Sequence, residues 1–187
     1  AIASMRSALA ACTILWCRRR LRFSREPAQW MGAVCYAATV CLFVVANKYT
    51  TAANAILLQY TAPIYVALFS SWFLQERVTR VDLVAIFSAM CGITLFFMDD
   101  LSAGGFAGNI VALCSGAAFA GTALFLRKQK AGSPVESIFM GNILAFLMGL
   151  PFLSKPFPSV RGWAGLISLG VFQLGLSYML YAEAVKY

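Results

Sequence analysis

The sequence predicts an all-α integral membrane protein, a polytopic helical bundle. Three observations carry this: an excess of apolar residues, apolar segments of bilayer-crossing length, and basic residues gathered at alternate segment ends. Of 187 residues, 61% are hydrophobic and 12% charged, outside the fractions of ordinary soluble domains. A soluble protein with a very apolar core would show short apolar runs, or stripes backed by a charged face. Here the segments are apolar all round. Several reach the ~20 residues that cross ~30 Å of hydrocarbon at about 1.5 Å per residue.

The first span runs from Ala1 to Cys17. A signal peptide would place its positive charge ahead of the apolar stretch, whereas Arg18, Arg19 and Arg20 follow it, so the segment reads as a span. The second is Trp30 to Asn47, after the charged connector Arg18 to Pro27. The third, Ala53 to Leu74, follows Lys48 to Ala52 and contains Pro63. The fourth, Val81 to Met98, follows the polar stretch Gln75 to Arg80. Asp99 to Gly105 then leads to the fifth span, Phe106 to Leu126; Gly104-Gly105 reads as a turn. Arg127 to Pro134 precedes the sixth, Ile138 to Leu153, and Ser154 to Gly162 precedes the seventh, Trp163 to Ala182. No connector is long enough to hold a domain. Trp16, Trp30, Trp72 and Trp163 lie near span ends, as interfacial anchors do. The chain opens without Met inside one apolar stretch and closes at Tyr187 just past another, so a longer parent protein is expected.

Orientation follows from the basic residues. One set of alternate loops holds Arg18, Arg19, Arg20, Arg22, Arg25, Arg77, Arg80, Arg127, Lys128, Lys130 and Lys186, eleven in all, while the other holds only Lys48, Lys155 and Arg161, with Asp99 and Asp100. Eleven against three places the first set in the cytoplasm. The net charge of +8 is thereby accounted for by helix ends facing one compartment. No continuous basic groove for nucleic acid is expected. The expected location is a bacterial inner (plasma) membrane, with the lipid bilayer and a small-molecule substrate as partners.

An internal echo is present. Trp30-x-Gly32 opens the second span and Trp163-x-Gly165 the last, and Lys48-Tyr49 and Lys186-Tyr187 close the same two. By the charge rule these spans run in opposite directions, the mark of an inverted repeat.

The stretch Thr51 to Met98, with T-A-A-N-A-I-L-L-Q-Y-T-A-P-I-Y-V-A-L-F-S-S-W-F-L-Q-E-R-V-T followed by V-D-L-V-A-I-F-S-A-M-C-G-I-T-L-F-F-M, resembles the EamA repeat of the drug/metabolite transporter superfamily. In that family a span with a mid-helix proline ends in Glu-Arg, and the next closes on Gly and an apolar run. Pro63, Glu76-Arg77 and Gly92 occupy those places. The resemblance implies a carrier with ten spans in two inverted five-helix repeats. Residues 1–105 correspond to the first repeat without its first span, and 106–187 to the second, truncated after its third. It further implies a secondary transporter exporting small metabolites such as amino acids by alternating access. The second repeat's own Pro and Glu-Arg signature falls beyond this chain.

Candidate site residues follow from polar groups at membrane depth. Pro63 lacks an N–H and crowds the preceding turn, which frees a carbonyl that needs a partner or a cavity to line. Gln59 lies four residues before it on the same face, with Tyr60 beside them and Ser70 further along. These residues predict a substrate-facing wall; the alternative is a Gln59 that only bonds a neighbouring helix. Gln173, Ser177 and Tyr181 recur every fourth residue and predict a second wall, with interhelical bonding again the alternative. Ser115 with Phe119, and Tyr36 with Phe43, would add small polar and aromatic surface or serve as packing. Arg6 is the one basic residue within a span, where an unpaired charge costs ~3 kcal/mol or more unless it snorkels to the surface.

Glu76 and Arg77 are candidates for an inward gate, or for an interfacial anchor. Glu183 is a candidate for proton coupling, or for an ion pair with Lys186 three residues on.

Other chemistries find little footing. The six cysteines, Cys12, Cys17, Cys35, Cys41, Cys91 and Cys114, sit in apolar segments without a CxxC pair, and no histidine completes a zinc site. No metal or cofactor is expected. There is no G-x-x-x-x-G-K-[ST] loop and no HExxH. A membrane-embedded enzyme would need clustered acids or His at bilayer depth, so an enzyme is not expected. A non-transporting scaffold or receptor of similar span number stays open.

Overall fold

The computed structural model describes residues 2–18, 20–98, 105–130, 132, 134–152 and 160–186. Ala1, Arg19, Asp99, Asp100, Gly104, Leu153, Lys155 and Tyr187 lie outside them, as does the side chain of Arg161. The described elements are all helical: α1 (Ile2–Cys17), α2 (Pro27–Tyr49), α3 (Ala52–Gln59), α4 (Ala62–Phe73), α5 (Arg80–Phe97), α6 (Phe106–Lys128), α7 (Pro134–Gly149), a 3₁₀ turn Leu150–Phe152, α8 (Val160–Ser168), a π-helical stretch Leu169–Leu176, and α9 (Ser177–Ala184). Each predicted span falls on helix. Pro27–Tyr49, Ala52–Phe73, Phe106–Lys128 and Gly162–Ala184 are long and apolar enough to cross a membrane, and Pro134–Gly149 is a shorter apolar helix. The protein is an all-α polytopic membrane bundle.

Local chemistry sets several boundaries. Pro27 opens α2 three residues ahead of the predicted Trp30, because proline suits the first helical turn, where its missing N–H costs nothing. Thr51 caps α3 by accepting the Asn54 N–H at 3.2 Å. Thr79 and Asp82 form a reciprocal capping box on α5. The sixth span stops at Gly149 rather than Leu153, tightening to 3₁₀ where Pro151 can no longer donate.

The larger departure is in the third span, which is two helices. α3 ends at Gln59, Tyr60 and Thr61 form a turn, and α4 restarts with Pro63 at its second position. Without an N–H, Pro63 cannot bond the Gln59 carbonyl four residues back, and the chain breaks in the preceding turn.

The chain forms two compact units, one of residues 1–37 and 125–187, the other of residues 38–124. In the first, α1 lies against α7 and the π-helical stretch. Close approach depends on small residues: a Cβ on Gly170 would sit 3.0 Å from the Arg6 carbonyl, and one on Gly141 would sit 2.6 Å from Tyr36 Cδ1. In the second unit, Ala46, Ala55 and Ala112 pack with Phe43, Leu58 and Val111. Gly105, just ahead of α6 at φ 78°, holds a conformation that side chains resist, tight against Tyr49 and Thr50. Large apolar side chains such as Trp72, Phe87 and Phe106 face outward, as a lipid-facing surface requires.

Candidate functional site

Each unit carries a buried polar cluster at span depth. In the second unit the cluster forms at the helix break. Gln59 Nε2 donates to Ser115 Oγ at 2.8 Å, and Ser115 Oγ donates to the Thr39 carbonyl at 3.1 Å. Ser115 is fully buried. Next to it, Gly116 leaves room for the unwound turn, since a Cβ there would lie 3.0 Å from the Gln59 carbonyl and 3.1 Å from that of Leu58. Thr61 Oγ1 donates to the Leu58 carbonyl at 2.6 Å. The Thr61 side chain thus meets one carbonyl of the break, as non-helical backbone at membrane depth requires. A further knot joins the end of α2 to α3 and α6: Thr50 Oγ1 donates to Asn109 Oδ1 at 2.7 Å, and Asn54 Nδ2 reaches the same oxygen at 3.3 Å.

In the first unit Tyr36 is fully buried midway along α2. Its hydroxyl meets the Asn142 amide, 3.3 Å from Oδ1 and 3.1 Å from Nδ2, and Asn142 Nδ2 also donates to the Ile138 carbonyl at 2.9 Å. Tyr178 stands edge-on to Tyr36 with ring centroids 4.9 Å apart, and Tyr181 follows at 6.2 Å from Tyr178. The half-buried Arg6 lies within electrostatic reach of the Tyr36 and Tyr178 phenols.

The first unit also has a polar knot where α2 and α7 begin and α6 ends. Gln129 Nε2 donates to the Ala28 carbonyl at 2.8 Å. Ser137 Oγ lies 2.9 Å from Gln129 Oε1 and 3.0 Å from the Gln29 carbonyl, and its single proton is donated to one or the other. The connector after α1 is held by Arg22 N–H donating to the buried Glu136 at 3.0 Å and Ser24 N–H to Gln29 Oε1 at 2.7 Å. Glu183 sits between Arg18 and Lys186, with Lys186 Nζ 2.7 Å away. Arg127 Nη1 donates to the Val185 carbonyl at 2.6 Å.

The sequence-derived candidates are distributed unevenly. Gln59 and Ser115, reached by separate arguments, form one hydrogen-bonded pair. Phe119 is half-buried on α6, a turn beyond Ser115. The expected face shared by Gln59, Tyr60, Pro63 and Ser70 is not continuous: Ser70 is buried and bonds the Ala67 carbonyl, whereas Tyr60 and Pro63 are exposed. The break at Tyr60 resets the helical phase, so spacing counted along one helix fails across it. Gln173 and Ser177 are exposed and Tyr181 is half-buried. Within the π-helical stretch the turn is wider, and Ser177 Oγ folds back to the Phe172 carbonyl five residues earlier at 2.7 Å. Glu76 and Arg77 do not end a helix. They follow the left-handed Gln75 (φ 57°) in the connector after α4. There Arg77 lines an apolar groove of about 620 Å³ with Ile64, Leu68, Leu83 and Phe87.

Asn142, Gln129, Ser137, Asn54, Asn109 and Tyr178 were not reached from sequence. Asn142, Asn54, Asn109 and Tyr178 are single polar or aromatic positions in apolar helices, Ser137 follows Glu136 at the start of α7, and Gln129 lies in the turn after α6; an amide at span depth is the signal that marks Asn142 and Asn109.

Membrane-crossing helices enclosing these clusters define a polytopic α-helical membrane protein. The chain belongs to the EamA-like transporter family, whose model matches residues 1–98. It is 26% identical over 164 residues to the "Uncharacterized transporter YetK" of Bacillus subtilis (strain 168), a match covering 79% of this chain and 48% of that protein. The chain thus spans about half the length of that relative. It also superposes on a solved structure described as "Crystal structure of protein" with a TM-score of 0.84 at 15% identity, over 99% of this chain and 70% of that one. That likeness speaks to the fold alone.

Proposed function

We propose that this chain forms much of the transmembrane body of a secondary transporter that exports small metabolites such as amino acids by alternating access. The observation that carries the reading is the broken span: α3 stops and α4 restarts at span depth, with Gln59 bonded 2.8 Å to Ser115 beside the unwound turn. Interrupted helices supply carbonyls and helix ends to transported solutes, and they are tolerated in hydrocarbon only where protein or a cavity receives them. Family membership supports the same class of activity. The parent protein is read as two inverted five-helix repeats, with residues 1–105 in the first and 106–187 in the second.

Uptake of labelled amino acids and other metabolites into liposomes bearing the full-length protein tests the reading. Flux above empty liposomes is expected. Gln59→Ala should reduce it more than it reduces expression. No flux across a broad panel would leave a non-transporting scaffold or receptor as the better description, and normal flux in Gln59→Ala would make Gln59 structural.

A further inference from the structure

We propose that the arginine-rich connector between α1 and α2 is a preformed site for the headgroups of anionic phospholipids in the cytoplasmic leaflet. Such binding is separate from any cargo site and holds whatever the protein carries.

Residues 18–26 hold five arginines and one glutamate. Basic loops orient membrane spans by their charge alone, and for that task a loose tail of arginines is enough. This connector is instead tied down. The Arg22 N–H donates to Glu136 Oε1 at 3.0 Å, the Ser24 N–H to Gln29 Oε1 at 2.7 Å, and the Glu26 N–H to Ser24 Oγ at 2.9 Å. Glu136 and Gln29 are 5% and 1% exposed. The backbone is thus anchored to buried groups at the starts of α7 and α2, while the side chains of Arg20, Arg22 and Arg25 are exposed. Arg18 is taken up by Glu183.

Aromatic residues set the depth. Trp16, on the last turn of α1, and Trp30, on the first turn of α2, are exposed, and so is Phe23 between them, with its ring 6.2 Å from that of Phe139. Tryptophans at span ends sit at the level of the lipid headgroups. A connector that runs between two of them and is pinned to the helix ends keeps its guanidinium groups at that level. A nucleic acid or an acidic protein would need them out in water. Each guanidinium is a planar fork that matches two phosphate oxygens, and basic residues beside a span are drawn to anionic lipid. Because the loop is already ordered, binding loses little conformational freedom.

The test titrates the full-length protein in dodecyl maltoside with dioleoylphosphatidylglycerol, dioleoylphosphatidylcholine or inorganic phosphate, and reads thermal stabilisation. Phosphatidylglycerol should act at lower concentration than phosphatidylcholine, and its advantage should fade with added salt. Inorganic phosphate should do little. Arg22→Gln should raise the half-effect concentration of phosphatidylglycerol about fivefold, and Arg20→Gln/Arg22→Gln/Arg25→Gln about a hundredfold. Arg80→Gln, which removes one cation from a different loop, should leave it unchanged. Glu136→Leu removes a negative charge, which by charge alone would tighten binding; release of the connector should weaken it.

Equal stabilisation by the two lipids, or equal losses in Arg80→Gln and Arg22→Gln, would leave only bulk charge and overturn the site. Stabilisation by inorganic phosphate to the same extent would overturn it as a lipid site. A triple variant that is less stable yet keeps its preference for phosphatidylglycerol would show the arginines serving contacts within the full-length protein, and would also overturn it. Tighter binding in Glu136→Leu would overturn the preformed loop.

Discussion

The contact between Tyr36 and Asn142 allows a quantitative test of how this bundle is held together. Both side chains are fully buried and join α2 to α7 through one hydroxyl–amide contact. Tyr36→Phe removes the hydroxyl and leaves Asn142 Oδ1 without that partner, while Asn142 Nδ2 keeps its 2.9 Å bond to the Ile138 carbonyl. One orphaned neutral acceptor costs about 1 kcal/mol at the low end of the usual range. Asn142→Ala strands the Tyr36 hydroxyl and also opens a small void, so about 2 kcal/mol is expected.

Because each single change already breaks the shared contact, the double variant should cost about 2 kcal/mol rather than 3, a coupling of about 1 kcal/mol. That lies between the mean of ~0.6 and the maximum of ~1.7 kcal/mol found for hydrogen bonds between membrane helices. The assay is reversible unfolding of the full-length protein in mixed detergent micelles, for the wild type, both single variants and the double. Coupling under about 0.3 kcal/mol, within the scatter of independent sites, would refute the assignment of this contact to helix–helix stability.

Three other expectations are open to measurement. Gly141→Ala should destabilise the same fold by about 1–3 kcal/mol in that unfolding assay, because a Cβ would lie 2.6 Å from Tyr36 Cδ1 and 2.9 Å from the Ala33 carbonyl, and overpacking forces the backbone to shift. Glu183→Gln should cost less than about 1 kcal/mol, since its partners Arg18 and Lys186 are partly exposed and screened, and it should leave the pH dependence of uptake unchanged; loss of proton-driven flux would instead make Glu183 a coupling residue. In a cysteine-free full-length protein, Ser24→Cys should react with a membrane-impermeant maleimide only after cells are opened, and Lys48→Cys in intact cells, as the basic-loop asymmetry requires. The reverse pattern would invert the proposed topology.

The helices were legible because a span is written locally: about twenty apolar residues in succession and charge at their ends suffice. Pairings were less so. Gln59 and Ser115 are each visible as polar residues at span depth, but their bond spans 56 positions, and sequence spacing carries no information about it. Asn142 was passed over because one amide in an apolar helix forms no stripe, and Arg6 could not be placed because its depth depends on packing by α2 and α9. The stripe through Gln59, Tyr60, Pro63 and Ser70 failed for a different reason. Spacing arguments assume an unbroken helix, and Pro63 itself, the residue that suggested the wall, ends that assumption.

The third and seventh spans both depart from regular α-helix within their length. An unsatisfied backbone group in hydrocarbon costs several kcal/mol, so an irregular span persists only where partners are at hand. At Tyr60–Thr61 the Leu58 carbonyl accepts from the Thr61 hydroxyl and the Thr61 N–H, and Gly116 leaves room for the turn. At Leu169–Leu176 the wider π turn keeps its carbonyls bonded, with Ser177 Oγ on that of Phe172. Gly170 and Gly175 there let α1 come within contact of the backbone. Replacing Gly116 by Leu should therefore do more than crowd the packing. By displacing the Gln59 and Leu58 carbonyls it should impair transport even in variants that remain folded, whereas a purely structural break would lose stability and flux together.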